Sequence, residues 1–213
     1  MIRLLLVDDH PVVRTGYQRL LEQAGDISVV AQADRVDLAY AEFVARTPDV
    51  TVTDLSMPGS GGLELIRRIL ARDAAARVLV FSMHDSALLV RRAFDAGARG
   101  FLSKSSAPEK LIEAVRAVHL GQRYLSDDLS PALLERDARY EASQLDSLTA
   151  REFEIFRLLA QGHSLNECAD TLNLSPKTVS NYQTLIKEKL GVSTSAALVH
   201  LAIRNGVISS AGT

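Results

Sequence analysis

The sequence predicts an α/β fold, a doubly wound five-stranded parallel sheet, followed by a small all-α domain of four helices. Three observations carry this expectation. Apolar runs of strand length recur through the first half of the chain with amphipathic stretches between them, and that alternation gives a parallel sheet covered on both faces. From Leu148 the apolar period is purely helical. The 213 residues are long for one compact domain and sufficient for two.

The expected strands are Ile2–Val7, Ile27–Ala31, Val50–Thr53, Arg77–Phe81 and Gly100–Leu102. Amphipathic stretches include Val12–Glu22, Leu63–Leu70, Leu88–Phe94 and Leu111–Val118. In the last of these Leu111, Ile112, Val115 and Val118 share one helical face, and Ser106-Ala-Pro-Glu109 ahead of it reads as a capping box. After Gly121 the pattern changes. The stretch YLSDDLSPALLERDARYEASQL mixes charge, Ser and Ala with no sustained apolar face, so residues 122–145 read as a linker with some helix. In the region beyond, Thr149 with Glu152 and Ser164 with Glu167 form two further capping boxes, the second after a stop at Gly162. Ser175-Pro176 is an N-cap with Pro at the first helical position. Gly191 ends that helix and Ser193 opens a fourth. The expected division is 1–121, a linker 122–145, and 146–213.

Composition narrows the function. A hydrophobic content of 47% with 23% charged residues is ordinary for a globular chain. A net charge of −2 excludes a basic surface spread over the whole chain, so any nucleic-acid contact must be local. The single cysteine, Cys168, excludes an internal disulfide framework and fits a reducing compartment. With no apolar run of membrane-spanning length and no signal-peptide pattern, a cytoplasmic protein without a membrane partner is expected.

The opening strand ends in Asp8 and Asp9. Adjacent carboxylates repel, and near a core they are costly unless compensated. They belong either to a solvated strand end or beside a cation. In open parallel sheets, sites form at the carboxyl ends of strands. Those ends carry Asp8 and Asp9, Asp54, Ser82 and Lys104. Three carboxylates, a hydroxyl and an ammonium suit phosphoryl transfer to a carboxylate. Asp54 is the expected nucleophile. Asp9 and Asp54, with Asp8 directly or through water, are the expected ligands of Mg²⁺. Lys104 would offset charge on the phosphoryl oxygens, and Ser82 would hydrogen-bond the attached group. His10 reads as a polar neighbour at the strand end and not as a ligand, and His84 as a solvated loop histidine.

This set resembles the receiver domain of two-component response regulators over roughly residues 1–121. The segment DLSMPGSGGLEL (54–65) is similar to the loop that follows the family's phosphoacceptor. The resemblance implies that Phe101, three residues before Lys104, is the switch aromatic, and that the backbone carbonyl of Ser56 completes the metal site. Three positions depart from the commoner pattern. Gly61 stands where many receivers have Asp, Ser105 replaces a frequent Pro, and Met83 replaces a frequent Ala and could restrict access to the phosphoryl group.

In the second domain, LNECADTLNLSPKTVSNYQTLIKEKLGV (165–192) has the form helix, tight turn, capped helix. Val179, Ile186 and Leu190 make an inward stripe with Tyr182 beside it. The other side presents Lys177, Thr178, Ser180, Asn181, Gln183, Thr184 and Lys187, with Lys189 beyond, as candidate contacts to double-stranded DNA. Residues 146–213 carry six Lys/Arg and six Asp/Glu, so one copy should bind DNA modestly and paired copies are the remedy. The last helix, Thr194 to Asn205, is the expected dimer contact through Leu198, Leu201 and Ala202.

The Leu-Thr-x-Arg-Glu opening at Leu148 and the Lys-Leu-Gly-Val ending at Val192 are similar to the LuxR-type helix-turn-helix. With a receiver in front, the chain resembles the NarL/FixJ family of response regulators, and SMPGSGGLE, GQRYL and LSPKTVSNY resemble its GacA/UvrY type. The resemblance implies a sensor histidine kinase as phosphodonor, Mg²⁺ as cofactor, and a homodimer on DNA, with no activity beyond self-phosphorylation from the donor and autodephosphorylation. Ser180 and Tyr182 stand where many relatives have Lys and His. The competing class is an aspartyl-phosphate phosphohydrolase carrying a helical protein-binding module. Such hydrolases usually place an acid two residues after the nucleophile, where this chain has Ser56.

Overall fold

The computed structural model describes residues 1–57, 61–127 and 144–208. The chain forms two compact units, one built on a sheet and one on the C-terminal helices. Strands β1 (Ile2–Val7), β2 (Ile27–Ala33), β3 (Val50–Thr53), β4 (Val78–Ser82) and β5 (Gly100–Ser103) alternate along the chain with helices α1 (Pro11–Gln23), α2 (Val36–Arg46), α3 (Gly61–Arg72), α4 (Ala87–Asp95) and α5 (Glu109–His119). All strand pairs are parallel, in the order β2-β1-β3-β4-β5. The chain steps from β1 outward to β2, then returns past β1 to β3. The reversal leaves a crevice between the carboxyl ends of β1 and β3, where Asp8, Asp9 and Asp54 stand.

Side-chain period explains the burial. Ile2, Leu4 and Leu6 join Val50, Val52, Leu79, Phe81 and Leu102 beneath Leu111, Ala114, Val115 and Val118 of α5 and Leu21 of α1. Leu5 and Val7, also buried, fall on the opposite face by the alternation of a strand.

A sixth strand, β6 (Tyr124–Leu125), extends the sheet beside β5. The sequence reading assigned these residues to the linker, because two residues carry no legible period. They are held by backbone bonds, Tyr124 N–H to Arg99 O at 3.1 Å and Ser126 N–H to Phe101 O at 3.1 Å. Gly100 makes room, since a Cβ there would stand 2.9 Å from Leu79 Cδ1 and 3.2 Å from Tyr124 Cβ. The expected capping box at Ser106 is also corrected. The N-cap of α5 is Pro108, with no side-chain cap. Its first turn is tightened by Lys110 N–H to Ala107 O and Leu111 N–H to Pro108 O. Most of the expected linker, residues 128–143, lies outside the described residues, as does any helix within it.

In the second unit a 3₁₀ turn (Gln144–Ser147) precedes α6 (Ala150–Ala160), α7 (Leu165–Leu172), α8 (Pro176–Lys189) and α9 (Ser195–Arg204). Both capping boxes are present, Thr149 with Glu152 and Ser164 with Glu167, and Ser175 caps α8 through the Thr178 amide. The fourth helix is capped by Thr194, whose hydroxyl accepts from Ala197 N–H, rather than by Ser193. No described helix is long and apolar enough to cross a membrane.

Candidate functional site

The carboxyl ends of β1, β3, β4 and β5 bring the expected residues of the sheet unit together. Lys104 Nζ donates to Asp8 Oδ2 at 2.5 Å and to Asp54 Oδ2 at 2.6 Å, and all three side chains are nearly solvent-free. The other Asp54 oxygen, Oδ1, accepts the Ser56 amide N–H at 3.1 Å. The buried Ser82 hydroxyl accepts His84 N–H at 3.3 Å and helps to hold the Asp54 carboxyl down. Phe101, the expected switch aromatic, is wholly buried in β5.

Electrostatics follow from these contacts. Burial pushes the Asp54 carboxyl up, but the Lys104 charge and hydrogen bond, the Ser56 amide and the Ser82 hydroxyl outweigh it, so Asp54 sits below the usual carboxylate range. Burial pulls Lys104 down, and Asp54 and Asp8 more than reverse this, so its ammonium is held more firmly than in water. Asp9 behaves differently. Burial raises it, the neighbouring Asp8 and Asp54 add to this, and His10 offsets only part.

The backbone around Asp54 is shaped by two glycines. Gly61 has φ +71°, a left-handed conformation that glycine adopts without strain. At Gly62 a Cβ would lie 2.2 Å from Asp54 O, so only glycine lets α3 close onto the end of β3. Between them and Met57, residues 58–60 lie outside the described residues. The Lys104–Ser105 peptide bond is trans. Ser105 joins Ser103, whose Oγ donates to Asp85 Oδ2 at 2.9 Å. Met83 is 66% exposed, so its bulk projects into solvent.

Sequence reasoning missed an aromatic shelf below Lys104. The Phe81 ring centroid is 5.8 Å from Lys104 Nζ, and Tyr17 meets Phe81 edge-on with centroids 4.7 Å apart. An aromatic inside an apolar run reads as core, so periodicity could not distinguish this role. Arg14 was also missed; its guanidinium donates to the Asp8 carbonyl at 2.5 Å.

In the helical unit, Val179, Ile186 and Leu190 of the capped helix segment are buried as expected. Lys177, Asn181 and Thr184 are exposed and lie at i, i+4 and i+7 on one face of α8. Thr178, Ser180, Gln183 and Lys187 are half-buried. Two hydroxyls are partly committed, Thr178 to the Ser175 cap at 2.8 Å and Thr184 to the Ser180 carbonyl at 3.2 Å. Lys189 leaves the polar face to bridge both Glu152 oxygens at 2.8 Å. The expected dimer contact is corrected. Leu198, Leu201 and Ala202 are at most 8% exposed, because α9 turns its apolar face to α6 and closes the core. They present no free surface.

Comparison with known proteins bears on both units. Residues 4–116 match the response regulator receiver domain, and residues 146–202 match the luxR family of bacterial regulatory proteins. The chain is 38% identical over 212 residues to the response regulator UvrY of Escherichia coli K12, covering 99% of this chain and 97% of that one. It is 37% identical over 213 residues to the response regulator GacA of Pseudomonas aeruginosa, covering 99% and 100%. Among solved structures it is similar to RcsB of Salmonella enterica serovar Typhimurium bound to promoter DNA with a phosphomimetic, with a TM-score of 0.70, 29% identity, and 94% and 97% coverage. These matches do not favour the phosphohydrolase reading. A receiver sheet carrying an acidic pocket, joined to a LuxR-type helix-turn-helix, makes this chain a transcription factor of the two-component response regulator family.

Proposed function

We propose that a sensor histidine kinase transfers a phosphoryl group to Asp54 in the cytoplasm, and that this controls homodimerisation and sequence-specific binding to double-stranded DNA. The observation that carries the reading is the Lys104 ammonium held between Asp8 and Asp54 at 2.5 and 2.6 Å. It keeps Asp54 ionised and stands ready to meet the phosphoryl oxygens. In-line attack by an Asp54 oxygen forms the new P–O bond as the P–N bond to the donor imidazole breaks. The imidazole leaves with the electron pair and takes a proton from water.

The pocket fits a divalent cation. Asp9 Oδ1 is buried without a hydrogen-bond partner, and ligand atoms of Asp8, Asp9 and His10 lie within 4.8 Å of one another. Asp9 and Asp54, with Asp8 and the Ser56 carbonyl, would hold Mg²⁺, which when bound neutralises charge on the phosphoryl oxygens. Ser82 turns its hydroxyl onto the phosphoryl group. Phe101 then turns into the space released, altering the surface over β4 and β5. In the helical unit, Lys177, Asn181 and Thr184 face the DNA with Thr178, Ser180, Gln183 and Lys187 flanking them, and two copies supply the affinity that one lacks.

The test is to incubate the full chain with a small acyl-phosphate donor and follow its intact mass. Labelling of the wild type in Mg²⁺ is expected, with none in excess chelator and none in Asp54→Asn. Stable labelling in either control excludes this assignment.

A further inference from the structure

His10 occupies a position that the phosphoacceptor chemistry does not use. It is the N-cap residue of α1, yet its side chain caps nothing. Its backbone N–H donates to Asp8 Oδ1 at 2.8 Å, and ring Nδ1 lies 3.3 Å from the same oxygen and 2.9 Å from Asp9 Oδ1. Asp8 is therefore fully engaged, Oδ2 by Lys104 and Oδ1 by His10. Asp9 is not. Its Oδ1 is buried, and the nearby ring nitrogen makes no hydrogen bond to it. One ligand atom from each of Asp8, Asp9 and His10 falls within 4.8 Å of the others.

An imidazole nitrogen changes which ion such a pocket prefers. Mg²⁺ is hard and takes oxygen ligands. Imidazole suits the first-row transition ions, whose affinity for mixed nitrogen and oxygen sites rises along the series that begins at Mn²⁺. The ring is 65% exposed, so it can swing onto an ion at little desolvation cost. Ligation through neutral Nδ1 requires the tautomer protonated at Nε2 and replaces the ring's contacts to Asp8 at 3.3 Å and Asp9 at 2.9 Å with bonds from all three groups to one ion.

We infer that His10 is a direct ligand when the pocket holds a transition ion, and that it tilts the site from Mg²⁺ toward Mn²⁺. The inference rests on the proposed reading that Asp9 carries the metal.

The test uses the full chain and Mn²⁺ alone. Pulsed electron paramagnetic resonance of the bound ion should show hyperfine coupling to an imidazole nitrogen. That coupling should vanish in His10→Gln and persist in His84→Gln. Competition titrations should show weaker Mn²⁺ binding by His10→Gln with Mg²⁺ binding unchanged. If Mn²⁺ binds in an Asp9-dependent way without nitrogen coupling, or if the coupling survives in His10→Gln, His10 is not a ligand and the Asp9 site stands. If the wild type binds no Mn²⁺, both readings fall.

Discussion

Lys104 Nζ lies 2.6 Å from Asp54 Oδ2, and a second bond to Asp8 leaves the ammonium bridging two buried carboxylates. Removing the lysine strands both charges in a pocket where neither side chain is more than 4% exposed. Breaking a buried pair in this way costs about 3–5 kcal/mol. Asp54 is held below its ordinary value, so its share of stability is present above the unfolded carboxylate pKa of about 3.9 and is lost as pH falls through the folded value. Lys104 is held above its ordinary value, so its share is lost only as pH rises through the folded value. Lys104→Met should therefore lower stability by about 3 kcal/mol at pH 7, with the deficit shrinking toward pH 4 as the stranded carboxylates take up protons. Urea unfolding of both proteins at several pH values reads this directly. An equal deficit at every pH contradicts the pairing.

Ser82 ends β4, where its buried hydroxyl accepts His84 N–H and helps to hold Asp54 below its ordinary value. Ser82→Ala should still be labelled at Asp54 but lose the response. A coupling of about 1–3 kcal/mol corresponds to roughly 5–150-fold in DNA affinity between phosphorylated and unphosphorylated wild type. In the variant that ratio should approach one, measured by titration of a cognate duplex. A variant that keeps the full ratio shows that the signal leaves Asp54 by another route.

The exposed row Lys177, Asn181 and Thr184 separates two kinds of DNA contact. Lys177 sits at the positive end of α8, where a side chain meets phosphate, so Lys177→Ala should weaken binding to every sequence and lower the salt slope by about one. Asn181 offers a bidentate amide to a base edge. Asn181→Ala should cost about 1–3 kcal/mol on the preferred site and little on unrelated DNA. Binding curves on both duplexes at two salt concentrations distinguish these outcomes. Identical profiles for the two variants would mean that α8 does not enter the groove in this orientation.

The strand ends were legible because the doubly wound order makes position along a strand equivalent to position in the crevice. Asp8, Asp9, Asp54, Ser82 and Lys104 needed only the apolar runs that precede them. The caps at Thr149, Ser164 and Ser175 were equally plain, since each pairs a hydroxyl with a fixed helical offset. What failed had no local period. Tyr124–Leu125 joins the sheet through backbone bonds alone. Lys189 looks like its lysine neighbours until Glu152, distant in sequence, is placed against it. Phe81 and Tyr17 read as core because an apolar run cannot say what stands above it. The direction of the last apolar face was misjudged for a related reason. Periodicity shows that Leu198, Leu201 and Ala202 share a side but not whether another helix or another molecule covers it.

Leu198 gives that correction a measurable consequence. It is 1% exposed on the face of α9 that meets α6. Truncating a buried leucine costs about 2–5 kcal/mol through lost transfer energy and the cavity left behind. Leu198→Ala should therefore destabilise the helical unit by that amount, seen as an early transition in urea unfolding of the full chain. Ala196, His200 and Ile203, by contrast, are exposed at i, i+4 and i+7 on the outer side of α9. If copies pair through this helix, Ile203→Asp should leave stability within about 0.5 kcal/mol of wild type. It should also weaken cooperative binding to a two-fold DNA site. An Ile203→Asp variant that binds as cooperatively as the wild type places the dimer contact away from α9. A Leu198→Ala variant of unchanged stability would contradict the packing of α9 on α6.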